Sequence, residues 1–99
     1  MLIRCCICDD TPEDIRMIRR YADAFSREHP EYPLHIETFE NAYDLLEALR
    51  KRGGYDLYLL DVVMAHMNGL DIARKIRERG DAAEILFFER VAGIRGGSV

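Results

Sequence analysis

Three aspartates carry most of the chemistry this sequence can offer. Asp9 and Asp10 close an apolar run that begins at Leu2, and Asp61 closes a predicted strand from Tyr55 to Leu60. A single acid at a strand end is commonly a helix cap or a solvated turn residue. Three at matching ends carry more weight, because parallel α/β sheets place their sites outside the carboxyl ends of the strands, where the winding direction reverses. If the two strands are neighbours, the three carboxylates converge on one crevice. Like charges so close raise one another's pKa, and a hard divalent cation with oxygen ligands relieves the repulsion. Magnesium suits such a set, since it takes one or two carboxylates together with waters and phosphate oxygens. An aspartate beside that ion could attack phosphorus in line and leave an acyl phosphate on Asp61.

The elements that must position these acids follow from the hydrophobic pattern. Leu2 to Cys8 is nearly all apolar, broken by Arg4, as in a strand covered on both faces. Thr11 as cap, Pro12 in the first turn and the acids Glu13 and Asp14 predict a helix start, and Ile15, Ile18, Ala22 and Phe25 recur at helical spacing. His29 to Pro33 is a loop, and Leu34, Ile36 and Thr38 alternate with His35 and Glu37 as in a half-buried strand closed by Phe39. Asn41 is a cap for a second helix with Leu45, Leu46 and Leu49 on its apolar side, stopped by Gly53 and Gly54. After Asp61, Val62 to Asn68 form a loop. Gly69 opens a third helix with a Leu70, Ala73, Ile76 stripe that ends near Gly80, and Ile85 to Phe88 give a short fourth strand. This alternation predicts an α/β fold with a parallel sheet and right-handed crossovers.

Composition narrows the functional classes. The 99 residues are enough for one domain at most, and a 48% hydrophobic fraction is that of a chain with a core. Net charge is −4, with basic residues dispersed among the acids, so direct nucleic-acid binding by this chain is not expected. The apolar runs fall far short of the roughly 20 residues that cross a bilayer, and no signal peptide opens the chain, so a cytoplasmic location with no membrane association is expected. Cys5, Cys6 and Cys8 could be soft metal ligands. Their place in a buried strand makes them small hydrophobes instead, in a reducing compartment.

I-C-D-D-T-P-E-D at Ile7 to Asp14, Y-D-L-Y-L-L-D at Tyr55 to Asp61 and V-V-M-A-H-M-N-G at Val62 to Gly69 together resemble a response-regulator receiver domain of two-component phosphorelays, over Leu2 to about Phe88. The resemblance implies a flavodoxin-like (CheY-like) parallel sheet with flanking helices. It also implies Mg2+ held by Asp9 and Asp10, phosphorylation of Asp61 by a histidine kinase, and a further metal ligand in the main-chain carbonyl of Val63. Met64, Met67, Asn68 and Gly69 fit the family's loop, and Ala65 stands where proline is usual. The I-C-D-D opening and the I-L-F-F strand resemble, more narrowly, receivers that precede a LytTR-type DNA-binding domain regulating transcription. Such a domain has no counterpart within these residues.

The match fails toward the end. Family members carry threonine or serine after the fourth strand as a switch that bonds the phosphoryl oxygen, whereas Glu89 follows here. Their phosphate-pairing lysine has no counterpart, because Lys51 and Lys75 both fall on predicted helices, and no motif assigns the role to Arg90 or Arg95. The expectation is therefore a partial receiver over residues 1–90, incomplete after the fourth strand, with a flexible glycine-containing tail over 91–99. An open fourth-strand edge would favour a homodimer or an exchange of elements between chains. The alternative to a phosphoacceptor is a degenerate receiver that serves as an interaction or dimerisation module. An aspartyl-phosphate phosphatase of the haloacid-dehalogenase kind is disfavoured, since it needs a second aspartate where Val63 stands. His29, His35 and His66 form no nucleophile and base arrangement, and an enzyme is not expected.

Overall fold

The Leu2 to Cys8 run lacks polar alternation because the strand it forms is central, with a neighbour on each side. The computed structural model describes residues 1–89, in which β1 (Ile3–Cys8) pairs in parallel with both β2 (Leu34–Phe39) and β3 (Leu57–Asp61). β3 pairs in turn with β4 (Glu84–Phe88), giving the sheet order β2-β1-β3-β4. Three helices connect the strands: α1 (Pro12–Glu28), α2 (Ala42–Arg52) and α3 (Gly69–Glu78). The expected flavodoxin-like α/β sheet is the observed one. The 91–99 tail, with Arg90 and Arg95, lies outside the described residues.

The two faces of the sheet are unequally covered. Cys6, Cys8, Tyr58 and Leu60 point to the face packed by α2 and α3, where Leu45, Leu49, Ile72 and Ile76 complete the larger core. Cys5 and Ile7 point the other way and meet Ile15 of α1, with Ile18, Ile36, Leu57 and Leu59 partly buried around them. Along α1 the expected stripe is buried at Ile15, half-buried at Ile18 and Ala22, and 44% exposed at Phe25. Beside it lies an apolar groove of about 480 Å³, lined among others by Ile18, Tyr21, Phe25, Leu57, Leu59 and Leu86.

Local signals place most element ends. Asn41 accepts a hydrogen bond from the Asp44 N–H at 2.8 Å, and Gly53 leaves α2 at φ 87°, a conformation that favours glycine. Thr11 stands at the α1 cap but its side chain makes no capping bond. The α3 stripe differs from expectation: Leu70 is 49% exposed, and Ile72 joins Ile76 in full burial. Gly69 decides that rotation. A Cβ there would run into the Asp61 carbonyl, so the helix seats its Gly69, Ile72, Ile76 side on the sheet. β3 begins at Leu57 rather than Tyr55, because the Tyr55 N–H is committed to the Tyr58 hydroxyl at 3.0 Å. β4 begins one residue earlier than expected, at Glu84.

Toward the amino ends of the strands, polar groups are interlocked. Tyr55 donates its hydroxyl to Glu37, which also meets Arg52 at 3.5 Å. Arg4 bonds the Gly54 carbonyl at 2.6 Å and lays its guanidinium 4.8 Å from the centre of the Tyr55 ring.

Candidate functional site

β1 leads through α1 to β2 on one side of it, and β3 lies on the other side, so the winding direction reverses between β1 and β3. Asp9 and Asp10 follow the carboxyl end of β1, and Asp61 is the last residue of β3, paired in register with Phe88. One carboxylate oxygen from each of the three acids lies within 4.8 Å of the others. Asp9 and Asp61 are buried, at 1% and 7% exposure, while Asp10 sits at the rim.

Main-chain donors orient all three. The Thr11 N–H donates to Asp9 Oδ1 at 2.8 Å, the Val63 N–H to Asp61 Oδ1 at 3.0 Å, and the Ala65 N–H to Asp10 Oδ2 at 3.2 Å. Asp9 Oδ2 is buried and accepts no hydrogen bond. Burial pushes the Asp9 carboxyl up, to about 7; Asp61 and Asp14 add repulsion, and the Thr11 N–H pulls the other way. The Asp61 carboxyl is raised as well, first by burial, with the Val63 N–H opposing and the charges of Asp10 and Asp14 adding to the rise. Asp14 thus acts on the site although its sequence position marked it as a helix-dipole residue. Its place in the first turn of α1, just after the Asp9 and Asp10 pair, was the available signal.

The loop from Val62 to Asn68 closes over the acids. Met64 Sδ rests 4.0 Å from Cys8 Sγ, and the Met67 N–H bonds the Ala65 carbonyl at 2.8 Å around His66, whose φ is 69°. That is a γ-turn of the rarer hand, held on a residue other than glycine. Asn68 caps α3 in a reciprocal box with Asp71, and the Gly69 N–H reaches back to the Val62 carbonyl at 3.3 Å. All three cysteines are fully buried. Burial raises their thiols, Cys5 to about 11 and Cys8 to about 12, which suits packing rather than metal ligation.

The donor set fits a small hard cation: three convergent carboxylates, an orphaned buried oxygen, and no basic side chain paired with any of the three among the described residues. Val63 is 62% exposed and is the second residue of the loop that follows Asp61. Glu89 follows β4 as an exposed residue and is not part of the acid cluster. Lys51 pairs with Glu47 at 3.3 Å on α2, and Lys75 is exposed on α3.

A family model for the response regulator receiver domain matches residues 5–92. The chain belongs to that family. Response regulator ArlR from Staphylococcus epidermidis is 32% identical over 92 residues, which is 87% of this chain and 40% of the relative. This receiver therefore spans less than half the length of such relatives. Among solved structures, response regulator TrrA from Thermotoga maritima, in complex with Mg(2+)-BeF, superposes with a TM-score of 0.72 at 28% identity, covering 94% of this chain and 74% of that one. A receiver domain of a LuxO repressor protein from Vibrio parahaemolyticus shares the fold, with a TM-score of 0.73 at 17% identity over 90% of this receiver and 62% of that chain. Receivers are signalling domains of two-component systems. No helix among the described residues is long and apolar enough to cross a membrane.

Proposed function

We propose that this receiver accepts a phosphoryl group on Asp61 from the phosphohistidine of a histidine kinase, with Mg2+ held by Asp9, Asp10, Asp61 and the main-chain carbonyl of Val63. The observation that carries the reading is the buried Asp9 Oδ2 without a partner, beside two further carboxylates. A bound divalent cation would neutralise those charges and the charge that develops on the phosphoryl oxygens. Asp61 supplies the nucleophile: its carboxylate oxygen forms the P–O bond as the P–N bond to the kinase imidazole breaks, and that nitrogen keeps the electron pair. The Val63 N–H orients the Asp61 carboxylate by holding its Oδ1. The TrrA complex with Mg(2+)-BeF is consistent with this reading. A cytoplasmic location and an output in transcription control, as the ArlR relatives suggest, belong to the same proposal.

Incubation with Mg2+ and a small acyl-phosphate donor should add one phosphoryl group to the wild type and none to Asp61→Asn, as read by intact mass. An unmodified wild type, beside a competent receiver as control, would overturn the assignment.

Two observations favour a second reading, a receiver that acts by contact alone. Glu89 stands after β4, and Lys51 is paired with Glu47 on α2 while Lys75 lies exposed on α3. The apolar groove beside α1 and the backbone of β4, unpaired along its outer side among the described residues, would then serve a homodimer or an exchange of elements between two copies. Magnesium binding without phosphorylation, together with a dimeric mass in solution, would establish this reading in place of the first.

A further inference from the structure

Each of the three acids accepts one main-chain N–H, and the three bonds are not equivalent. Those to Asp9 and Asp61 are local, from residues two positions along the same loop. The bond to Asp10 comes from Ala65, 55 residues away, on the loop that follows Asp61. Among these three it is the bond that ties the β1–α1 loop to the β3–α3 loop. Asp10 also needs it most, because it lies at the rim; its other oxygen has the Thr11 hydroxyl at 3.5 Å, the outer limit of a hydrogen bond.

Ala65 stands at a position where the receiver resemblance leads one to expect proline, which has no N–H to give. The donor therefore exists because of this chain's own departure from the pattern. The neighbouring turn aims it: the bond from the Met67 N–H to the Ala65 carbonyl, closed around His66 at φ 69°, constrains the peptide on the other side of Ala65. A carboxylate has about four acceptor sites, so Asp10 can keep the Ala65 N–H while offering a lone pair to a cation.

We infer that the Ala65 N–H is a positioning group for the metal site, holding the Asp10 carboxylate over the crevice in advance of the cation and locking the two ligand-bearing loops together. This rests on the magnesium reading above. Pre-setting a rim carboxylate lowers the ordering entropy that binding must otherwise overcome. By linkage the bound ion in turn favours the arrangement in which the Ala65 bond is made, and the bond does not open to admit it.

The test titrates Mg2+ alone into the full chain by calorimetry. Ala65→Pro should weaken affinity roughly three- to tenfold, the worth of one solvent-exposed hydrogen bond. Ala65→Gly, which keeps the N–H, should stay within about twofold of wild type. Because proline could disturb the loop, the wild type supplies a second measurement: the Ala65 amide should exchange with solvent more slowly in saturating Mg2+ than without it. Equal affinity in Ala65→Pro, or an amide that exchanges faster when Mg2+ is bound, overturns the inference while leaving the metal site standing. A wild type that binds no Mg2+ overturns both.

Discussion

The two ends of the sheet treat buried polar groups in opposite ways. At the amino ends, the Tyr58 hydroxyl takes the Tyr55 N–H, the Tyr55 hydroxyl goes to Glu37, and Arg4 and Arg52 complete the set. Glu37 is accordingly held below the usual carboxylate range, first by the Tyr55 hydroxyl, with His35 and Arg52 assisting. At the carboxyl ends, Asp9 and Asp61 face each other in burial with raised pKa values, one oxygen is orphaned, and the adjoining loop carries a residue at positive φ. Stability is invested at one end and withheld at the other. Sites that must take up a charged ligand are where such deficits are expected, because the ligand and not the protein completes them.

The sharpest way to break the satisfied end is Tyr58→Phe. The ring stays, but the Tyr55 N–H loses its acceptor in a buried setting, at a cost of about 1–3 kcal/mol. Urea unfolding should show the midpoint fall with an unchanged slope, and Mg2+ affinity should hold. An unchanged midpoint would mean that water replaces the hydroxyl.

At the deficient end the sign reverses. Asp9→Asn removes one of two facing charges and supplies an amide that can donate to Asp61, so the metal-free protein should gain about 1 kcal/mol and lose the melting-temperature rise that Mg2+ gives the wild type. The pH dependence follows from the same pair. Both carboxyls are raised in the folded state, so the folded protein holds more protons than the unfolded one between the ordinary carboxylate range and about pH 7. Metal-free stability should therefore fall as pH rises through that window. Saturating Mg2+, which favours the ionised acids, should flatten the fall. A stability that climbs over the same window would contradict the raised pKa values.

The smallest effect belongs to the loop. His66→Gly removes the steric penalty of the left-handed conformation and adds backbone freedom to the unfolded chain, for a net gain of roughly 0.5 kcal/mol in thermal melts. A loss would show that the imidazole makes contacts worth more than the strain.

Much of this molecule was legible in the linear chain, for local reasons. The unbroken apolar run of β1 announces a strand with neighbours on both sides, Asn41 and Gly53 mark the ends of α2 through bonds and dihedrals within a few residues, and the strand-end acids mark the site. Periodicity failed at α3, since Leu70 and Ile72 both satisfy helical spacing and a contact between Gly69 and the Asp61 backbone selects one of them. Tyr55 passed for a strand residue because its commitment to the Tyr58 hydroxyl is a side-chain bond that a pattern of apolar and polar letters does not encode.

The sequence by itself determined which residues are acids, where the strands stop and hence that three carboxylates stand at strand ends. Those are properties of residue type and short-range order. Tertiary structure alone decided that β1 and β3 are adjacent, that Asp9 Oδ2 is left without a donor, and that the Ala65 N–H finds Asp10 from 55 residues away. Each of these depends on which loops the sheet order brings together, and hydrogen bonds across such a distance leave no trace in local spacing.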